Sequence, residues 1–363
     1  MHIKVETELF KKALETTSRI SAKHLTLPVL QCVLLDAEDA NLVVKATNLE
    51  IGVESKLPIS TTEETGSVAV QAQALLQTVS LINQKFVILK LKGDVLIIET
   101  ETSKTEIKSV PTDDFPSIPK IESSPQNING VLFSNGIKTA AFTASQSSIK
   151  PELGSIYILQ KKEHSLTFVA TDSFRLMEKT VSQKNIILEN SILIPYKNAL
   201  EIAHIIHESD TVEFFVNENH CAFYVDGVYI TSRLTNGTFP DYEQIIPKEY
   251  QTHTIVLTND LSHALKKTNI FLNKFMQLTL DVQGEKTILS SQSGDVGTTT
   301  ESISSVTEGA DIKLNFNQRY ISEALNYIND ESTILHFAGI GRPMVLEGVH
   351  DKSIRYLVMP MNK

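Results

Sequence analysis

Apolar residues alternate in short runs along this chain, and several runs lead directly into a segment with helical periodicity. One run at residues 68–70 is followed by an amphipathic stretch through Leu76. The same strand-to-helix pattern starts again at Ile192 and at Leu314, so that its copies begin 124 and 122 residues apart. A period this long predicts three similar folding units in one chain.

A second strand-to-helix pattern opens each unit. Its strands are predicted at residues 3–5, 131–133 and 255–257, and its helices at residues 8–14, 136–142 and 260–265. On this alignment Leu9, Ile137 and Leu261 are equivalent. We therefore expect each unit to run strand, helix, several strands, helix, several strands.

Ala-Thr-Asn at residues 46–48 and Ala-Thr-Asp at residues 170–172 are also 124 positions apart. Each follows an apolar strand pattern. Thr and Asx side chains form hydrogen bonds to nearby backbone groups, so Thr171 and Asp172 are predicted to organise a turn.

The fold class predicted from these patterns is α+β, with two helices and mostly antiparallel sheets in each of three repeated domains. Polar, turn-rich segments at residues 123–127 and 247–252 supply the linkers. The predicted domains are residues 1–123, 124–249 and 250–363.

Composition restricts the function only loosely. The chain has 363 residues, 41% of them hydrophobic, and no run long enough for a membrane helix. Its first residues lack the apolar run of a signal peptide, which favours a cytoplasmic location. Cys32 and Cys221 lie in apolar strand patterns and are expected to be buried free thiols. A net charge of −10 argues against a protein that binds nucleic acid over its whole surface.

No catalytic or metal-binding pattern stands out, and no cofactor is expected. His204 and His207 could share one face of a helix, but no further ligand completes a site and neighbouring isoleucines take the buried face. Gly339-Ile340-Gly341 lacks the later glycine of a dinucleotide-binding motif and reads as a hairpin turn. Asp172-Ser173 lacks the glycines of a hydrolase nucleophile turn.

Basic residues recur on the predicted helices. They are Lys12, Lys138, Lys197, Lys266, Lys267 and Arg319. Acidic residues share these helices, so each cluster alone favours a solvated face over a nucleic-acid site. Their recurrence at equivalent positions of an acidic protein raises the weight of a nucleic-acid site modestly.

Four motifs, in order along the whole chain, resemble those of the bacterial β sliding clamp family, the processivity subunit of the replicative DNA polymerase. They are Thr26-Leu27-Pro28-Val29-Leu30, Ala170-Thr171-Asp172-Ser173-Phe174-Arg175-Leu176, Gly237-Thr238-Phe239-Pro240-Asp241-Tyr242 and Met359-Pro360-Met361. The resemblance implies three clamp domains per chain and a head-to-tail homodimer that closes a ring around double-stranded DNA, without catalysis or sequence specificity. It also implies that polymerase and clamp-loader subunits bind through short peptide motifs.

The resemblance further implies the residues that serve each contact. Contacts to DNA would come from Lys12, Arg19, Lys23, His24, Lys138, Lys150, Tyr196, Lys197, Lys266, Lys267 and Arg319. The dimer interface would include Thr105, Ile107, Ile270 and Phe271. His24 stands where the family often has a basic residue, which weakens one of the DNA contacts.

A partner-peptide pocket is implied between the second and third domains. Its lining would be Leu153, Thr171, Ser173, Phe174, Arg175, Leu176, Pro240, Gln244, Ile245, Tyr320, Arg342, Met344, Leu357, Met359, Pro360 and Met361. Core packing is the alternative explanation for Leu176, Leu357 and Ile245. Phe174 replaces a common His. Arg175 either braces the turn or contacts the peptide, and its position within the recurring turn favours bracing.

A DNA sliding clamp is the function that these observations favour. The alternative from another class is a monomeric three-domain scaffold that keeps the pocket without the ring, and an enzyme comes third. Apolar pairing of the two proposed ring edges would distinguish the clamp hypothesis from the scaffold hypothesis.

Overall fold

The structure is a computed structural model that describes residues 1–21, 27–147, 149–184 and 186–361. The chain is a threefold repeat. In each copy a strand and a helix precede four strands, and a second helix and three further strands complete the copy.

The first repeat contains β1 (His2–Glu6), α1 (Thr7–Ser18), β2 (Cys32–Ala37), β3 (Asn41–Thr47), β4 (Ile51–Glu64), β5 (Gly66–Gln71), α2 (Ala72–Ser80), β6 (Phe86–Lys92), β7 (Val95–Glu99) and β8 (Lys104–Val110). A 3-10 turn at Pro28–Gln31 precedes β2. The predicted strand at residues 3–5 and the helix that follows it are confirmed.

The second repeat contains β9 (Gln126–Ile128), α3 (Gly130–Ala141), β10 (Ser155–Leu159), β11 (Ser165–Thr171), β12 (Arg175–Ser182), β13 (Ile192–Pro195), α4 (Tyr196–Ile206), β14 (Val212–Val216), β15 (His220–Val225) and β16 (Val228–Arg233). A 3-10 turn at Tyr242–Ile245 follows it.

The third repeat contains β17 (Thr252–Leu257), α5 (Thr258–Thr268), β18 (Gln277–Gln283), β19 (Lys286–Ser293), β20 (Gly297–Gly309), β21 (Ile312–Asn317), α6 (Gln318–Leu325), β22 (Ser332–Phe337), β23 (Met344–Gly348) and β24 (Ile354–Val358). A 3-10 turn at Asn269–Phe271 follows α5. The α+β class and its threefold repeat are therefore confirmed.

The second repeat begins differently from the prediction. The strand predicted at residues 131–133 is wrong, because these residues form the first turn of α3 and the strand is β9 at Gln126–Ile128. Asn129 explains the difference, since its side-chain oxygen accepts a hydrogen bond from the backbone N–H of Leu132 at 2.9 Å. This is the bond of a helix N-cap. Leu132 is therefore the counterpart of Leu9, and both are 39% exposed.

Two compact units divide the chain. The first holds Met1–Ser134 and Lys197–Leu234, with a short piece around residue 186. Its strands are ordered β1-β6-β7-β8-β5-β2-β3-β4-β16-β15-β14-β9, and β1 also pairs with β4. Phe133 lies in its core, with ring centroids 5.9 Å from Phe214 and 5.3 Å from Phe223.

The second unit holds Asn135–Lys184, Leu188–Tyr196 and Thr235–Lys363. Its strands are ordered β13-β10-β11-β12-β24-β23-β22-β17-β20-β19-β18-β21. The apolar face of α5 buries Leu261 and Leu265, four residues apart, in the same apolar cluster as Phe316 and Tyr356. Strand pairing is antiparallel in both units.

One kind of junction joins successive repeats inside each unit. The fourth strand of one repeat pairs with the last strand of the next: β4 with β16 in the first unit, and β12 with β24 in the second. The described residues contain no helix long and apolar enough to cross a membrane.

Candidate partner-binding site and nucleic-acid interface

A tight turn between β11 and β12 forms the base of the candidate partner site. The Thr171 hydroxyl donates to the carbonyl of Arg175 at 2.6 Å and accepts from the N–H of Ser173 at 3.1 Å. The Asp172 carboxylate accepts from the N–H groups of Phe174 and Arg175, both at 3.0 Å. Ser173 adopts a φ of 78°, and the side chain of Phe174 that follows it is exposed. The predicted side-chain-organised turn is confirmed.

The first repeat contains the same turn between β3 and β4. Thr47 donates to the carbonyl of Ile51 at 3.0 Å, and Asn48 accepts from the N–H groups of Glu50 and Ile51. Leu49 has a φ of 76°. The two turns stand at the two junctions between repeats, so the Thr-Asx pair places the first residues of β4 and β12 where the neighbouring repeat pairs with them.

Arg175 braces this turn from beneath. Its Nε donates to Asp172 at 3.0 Å, Nη2 donates to the carbonyl of Phe142 at 3.0 Å, and Nη1 pairs with Glu323 on α6. The guanidinium also lies 4.4 Å from the ring centroid of Tyr320. Burial opposes the charge, but the carboxylate partners outweigh it and raise the pKa of Arg175.

The side chain of Arg175 is only 10% exposed. Its donors are directed at protein acceptors, which favours bracing over direct contact with a peptide. Sequence reasoning did not identify Glu323 as its partner, although that carboxylate lies three positions after Tyr320 on the same helix.

The floor of the site is a buried apolar cluster that contains Leu153, Leu176, Leu357 and Val345. Leu176 and Leu357 face each other across the junction of β12 and β24 and are at most 1% exposed. Met344 is fully buried in the neighbouring cluster. Core packing therefore describes these side chains as they stand in this structure.

The rim of the site is accessible. Its apolar members are Phe174, which is 62% exposed, Ile245 at 47% and Met359 at 36%. The other sequence-predicted lining residues at the surface are Ser173, Pro240, Gln244 and Arg342, and half-buried Tyr320, Pro360 and Met361. Exposed apolar side chains around a closed apolar floor can receive the anchors of a short peptide.

The C-terminal tail is docked beside this rim. After β24 ends, the N–H of Met359 donates to the carbonyl of Phe174 at 2.8 Å. The N–H of Met361 donates to the carbonyl of Asn315 on β21 at 2.7 Å. Two backbone hydrogen bonds thus hold an apolar terminal segment that would otherwise fray.

The candidate DNA-contacting residues have different surroundings. Lys12, Lys138, Lys197 and Lys266 are exposed on helices. Arg19 is paired with Glu201 at 2.8 Å, Lys267 with Glu301 at 2.9 Å and Arg319 with Glu323 at 2.6 Å. Lys150 is exposed and Tyr196 half-buried, whereas Lys23 and His24 lie outside the described residues.

Two strands offer a free edge at the positions predicted for the dimer interface. Residues 104–108 of β8, which include Thr105 and Ile107, pair with β7 on one side, and β5 pairs only with residues 109–110. Residues 297–304 of β20 pair with β19 alone, since β17 takes residues 305–309. Within the described ranges, no strand covers the other side of either segment.

Apolar side chains accompany the free edge of β20. Ile270 is 65% exposed in the 3-10 turn after α5, and Phe271 beside it is half-buried. Phe275 is 59% exposed in the same loop. This apolar group is the kind of surface that marks a protein interface.

The described residues offer little support for a metal site or a reactive thiol. No cluster of three potential metal ligands occurs there. The ring of His204 on α4 stacks on the ring of His207, which follows the helix, with centroids 5.6 Å apart. Cys32 and Cys221 are buried free thiols, as expected, and burial raises the pKa of Cys221 to about 12. Such a thiol is mostly protonated at neutral pH and unreactive.

Three family models match successive parts of the chain. They describe the N-terminal, central and C-terminal domains of the DNA polymerase III beta subunit and cover residues 1–119, 127–241 and 243–362. The chain belongs to the DNA polymerase III beta subunit family. Membership gives it the function of a DNA sliding clamp, a processivity subunit without catalytic activity.

Individual members of the DNA polymerase III beta subunit family are similar to this chain over its full length. The beta sliding clamp of Staphylococcus epidermidis is 24% identical, with 99% of each chain covered. The Pseudomonas aeruginosa subunit has the same fold, with a TM-score of 0.95 at 22% identity and complete coverage of both chains. Another structure of a Pseudomonas aeruginosa clamp, with a TM-score of 0.94, 22% identity and complete coverage of both chains, was solved bound to griselimycin.

Proposed function

We propose that two copies of this chain close head-to-tail into a ring around duplex DNA, in the cytoplasm, and that the ring tethers polymerase and clamp-loader subunits through short peptides. The observation that carries the proposal is the repeated junction between fourth and last strands. Two junctions are made within each chain, and the two strands of a third junction each keep one edge without a partner strand among the described residues.

The proposed third junction follows from the repeat. Since β4 pairs with β16 and β12 with β24, the equivalent partner of β20 is β8. Residues 104–108 and 297–304 have their free sides available for this pairing. If β20 of one copy pairs with β8 of the other, both copies use the same heterologous contact, and a twofold closure leaves no free end.

Side chains near β20 support the same contact. Ile270 and Phe271 offer apolar area beside the edge, to be covered by the region around Ile107 of the second copy. A cavity of about 520 Å³ at β19 and β20 is lined by hydroxyl and amide side chains that include Thr298, Thr300 and Gln292. Such groups suit a hydrogen-bonded rim around an apolar centre.

Contact with DNA is proposed for the helix lysines. Lys12, Lys138, Lys197 and Lys266 carry exposed charges, while the chain as a whole is acidic at −10. An acidic exterior repels DNA, and a few cations facing the phosphates attract it weakly and without sequence preference. Weak contact suits a ring that must slide.

Partner binding is proposed for the rim around Phe174, Ile245 and Met359. A partner peptide would place an apolar or aromatic anchor among these side chains, above Leu176. The exposed ring of Phe174 enlarges the apolar wall and favours an aromatic anchor. We propose that griselimycin binds this chain at the same rim.

The test of the clamp function is retention on DNA of different topology. Protein is loaded by its clamp loader onto a nicked circle, and half of each sample is linearised. The ring should stay on the circle and leave the linear duplex through its ends. Equal loss from both, or a preference for one DNA sequence, would overturn the ring mechanism. A monomer that still binds griselimycin would support the scaffold alternative.

A further inference from the structure

Beneath the rim that carries Ile245 lies a buried carboxylate. Glu178 is on β12, two residues beyond Leu176, and its side chain is 10% exposed. The hydroxyl of Tyr242 donates to its Oε2 at 2.5 Å, and Lys161 Nζ donates to the same oxygen at 2.7 Å. Arg355 approaches its other oxygen at 3.5 Å from the opposite strand of the junction.

Tyr242 connects this carboxylate to the rim. It is the first residue of the 3-10 turn Tyr242–Ile245, which presents Gln244 and Ile245 to solvent. The ring of Tyr242 is 4% exposed and packs in the apolar cluster with Leu176. Its hydroxyl is therefore the polar point at which the turn is fastened to β12.

The cations around Glu178 do not depend on it alone. Lys161 also pairs with Glu243 at 2.7 Å, and Arg355 also pairs with Glu347 at 3.1 Å. Removing the carboxylate would leave each cation an acidic partner. A buried ion pair adds little net stability compared with an apolar replacement of similar size. A contribution to net stability alone therefore does not explain why a carboxylate is present at Glu178.

Resting on the proposed peptide site, we infer that Glu178 is a positioning residue for it. By accepting the Tyr242 hydroxyl, Glu178 fixes the height and orientation of the turn, and so the distance between Ile245 and Phe174 across which a peptide anchor must fit. A site held in the bound geometry before binding loses less entropy when the ligand arrives.

The repeat supplies a matched control. Glu54 occupies the equivalent position on β4, where it faces Tyr229 across the first junction. It pairs with Lys120 instead of a tyrosine hydroxyl. A substitution at Glu54 therefore removes an equivalent junction carboxylate from the other unit and should leave the peptide site unchanged.

Three substitutions test the inference, with labelled griselimycin and a set of short peptides cut from the organism's own replicative polymerase as probes. Tyr242→Phe and Glu178→Leu each remove the hydrogen bond and should weaken binding about tenfold, mainly through faster dissociation. Glu178→Gln keeps an acceptor for the hydroxyl and should stay within about threefold of the wild type. The double variant that combines Tyr242→Phe with Glu178→Leu should bind no more weakly than either single variant, since both remove one bond.

These outcomes distinguish a failure of the role inferred for Glu178 from a failure of the proposed peptide site. Glu54→Leu should bind like the wild type, and every variant should keep the wild-type mass and DNA retention. If Glu178→Leu binds as well as Glu54→Leu, or if Glu178→Gln is as weak as Glu178→Leu, Glu178 does not act through Tyr242. Should Glu178→Leu fail to fold, Tyr242→Phe decides alone. If the wild type binds neither probe, the proposed peptide site itself is overturned.

Discussion

At the scale of single residues, the Thr-Asx turns that precede β4 and β12 allow the contribution of local side-chain hydrogen bonds to be measured. Asp172 accepts two backbone hydrogen bonds and one from Arg175, whereas Asn48 accepts two backbone bonds alone. Asp172→Ala should lower the free energy of unfolding by about 2–3 kcal/mol and Asn48→Ala by about 1–2 kcal/mol. Urea titrations measure both, with exposed Asp210→Ala as the control. Equal losses at the two turns would show that Arg175 adds nothing.

The His253–His336 pair predicts a pH dependence. Their Nδ1 atoms are 2.6 Å apart, a distance that requires at least one neutral ring. Burial and then the charge of His253 lower the pKa of His336 to about 4, while Glu347 opposes them. A lowered histidine pKa stabilises the fold above the unfolded value near 6.5, and this contribution is lost as the pH falls towards 4.

The wild type should therefore lose about 2 kcal/mol of stability from this group between pH 7 and pH 5. His336→Gln should lose less over the same interval, and exposed His263→Gln should behave as the wild type does. Denaturant midpoints at both pH values are the measurement. A parallel decline of the wild type and His336→Gln would contradict the assignment.

At the scale of elements, the C-terminal tail after β24 and the proposed ring edges in β8 and β20 should serve different functions. Loss of the tail should therefore affect peptide binding and not dimer formation. Deleting residues 359–363 removes the backbone bonds of Met359 to Phe174 and of Met361 to Asn315, together with the apolar side chains. Griselimycin binding should be abolished while the mass remains that of a dimer. Isothermal titration and light scattering are the measurements, and undiminished binding by the truncated chain would refute the pocket assignment.

How far the elements can be predicted depends on where the deciding interaction lies in the sequence. The hairpin of β6 and β7 follows from the apolar runs at residues 86–89 and 95–98 on the two sides of Gly93-Asp94, and the structure contains it. The first turn of α3 is not predictable in this way, because Val131 and its apolar neighbours have strand propensity and the capping bond to Asn129 overrides it.

The candidate site shows the same limit. The Thr171 turn is predictable because its bonds span at most four residues. Contacts across distant segments, such as Arg175 with Glu323 and Glu178 with Tyr242, carry no local pattern. Whether Leu176 and Leu357 are exposed or buried cannot be predicted either, since strand pairing across the junction decides it.

At the scale of the whole molecule, the two unpaired edges determine the predicted assembly. The chain has a mass of 40.3 kDa, and light scattering should report twice that value. Ile270→Ala combined with Phe271→Ala should produce monomers, because the apolar area beside β20 is lost. Leu81→Ala, which changes an 82% exposed leucine elsewhere, should remain dimeric. A dimeric double variant would place the interface elsewhere.

Attraction to DNA should depend on four of the exposed helix lysines together. When Lys12, Lys138, Lys197 and Lys266 are changed to Gln, the affinity for linear DNA should depend less steeply on salt concentration. The slope of log K against log[salt] should fall by the amount that about four phosphate contacts contribute. The control exchanges four other exposed lysines, Lys56, Lys85, Lys248 and Lys286. Fluorescence anisotropy over a salt series gives the slopes, and equal slopes for the two sets would remove the helix lysines from the DNA contact.

An unpaired strand edge is also a hazard for a chain that has just been synthesised. The edge of β8 alternates Lys104, Glu106 and Lys108, charges that discourage unwanted strand addition, whereas residues 298–300 of β20 are three threonines. An isolated subunit therefore has one edge, on β8, that its charges protect. The other edge, on β20, can pair with further strands and so lead to aggregation. In the proposed dimer, a second copy that covers β20 would protect this edge from aggregation as well as complete the ring.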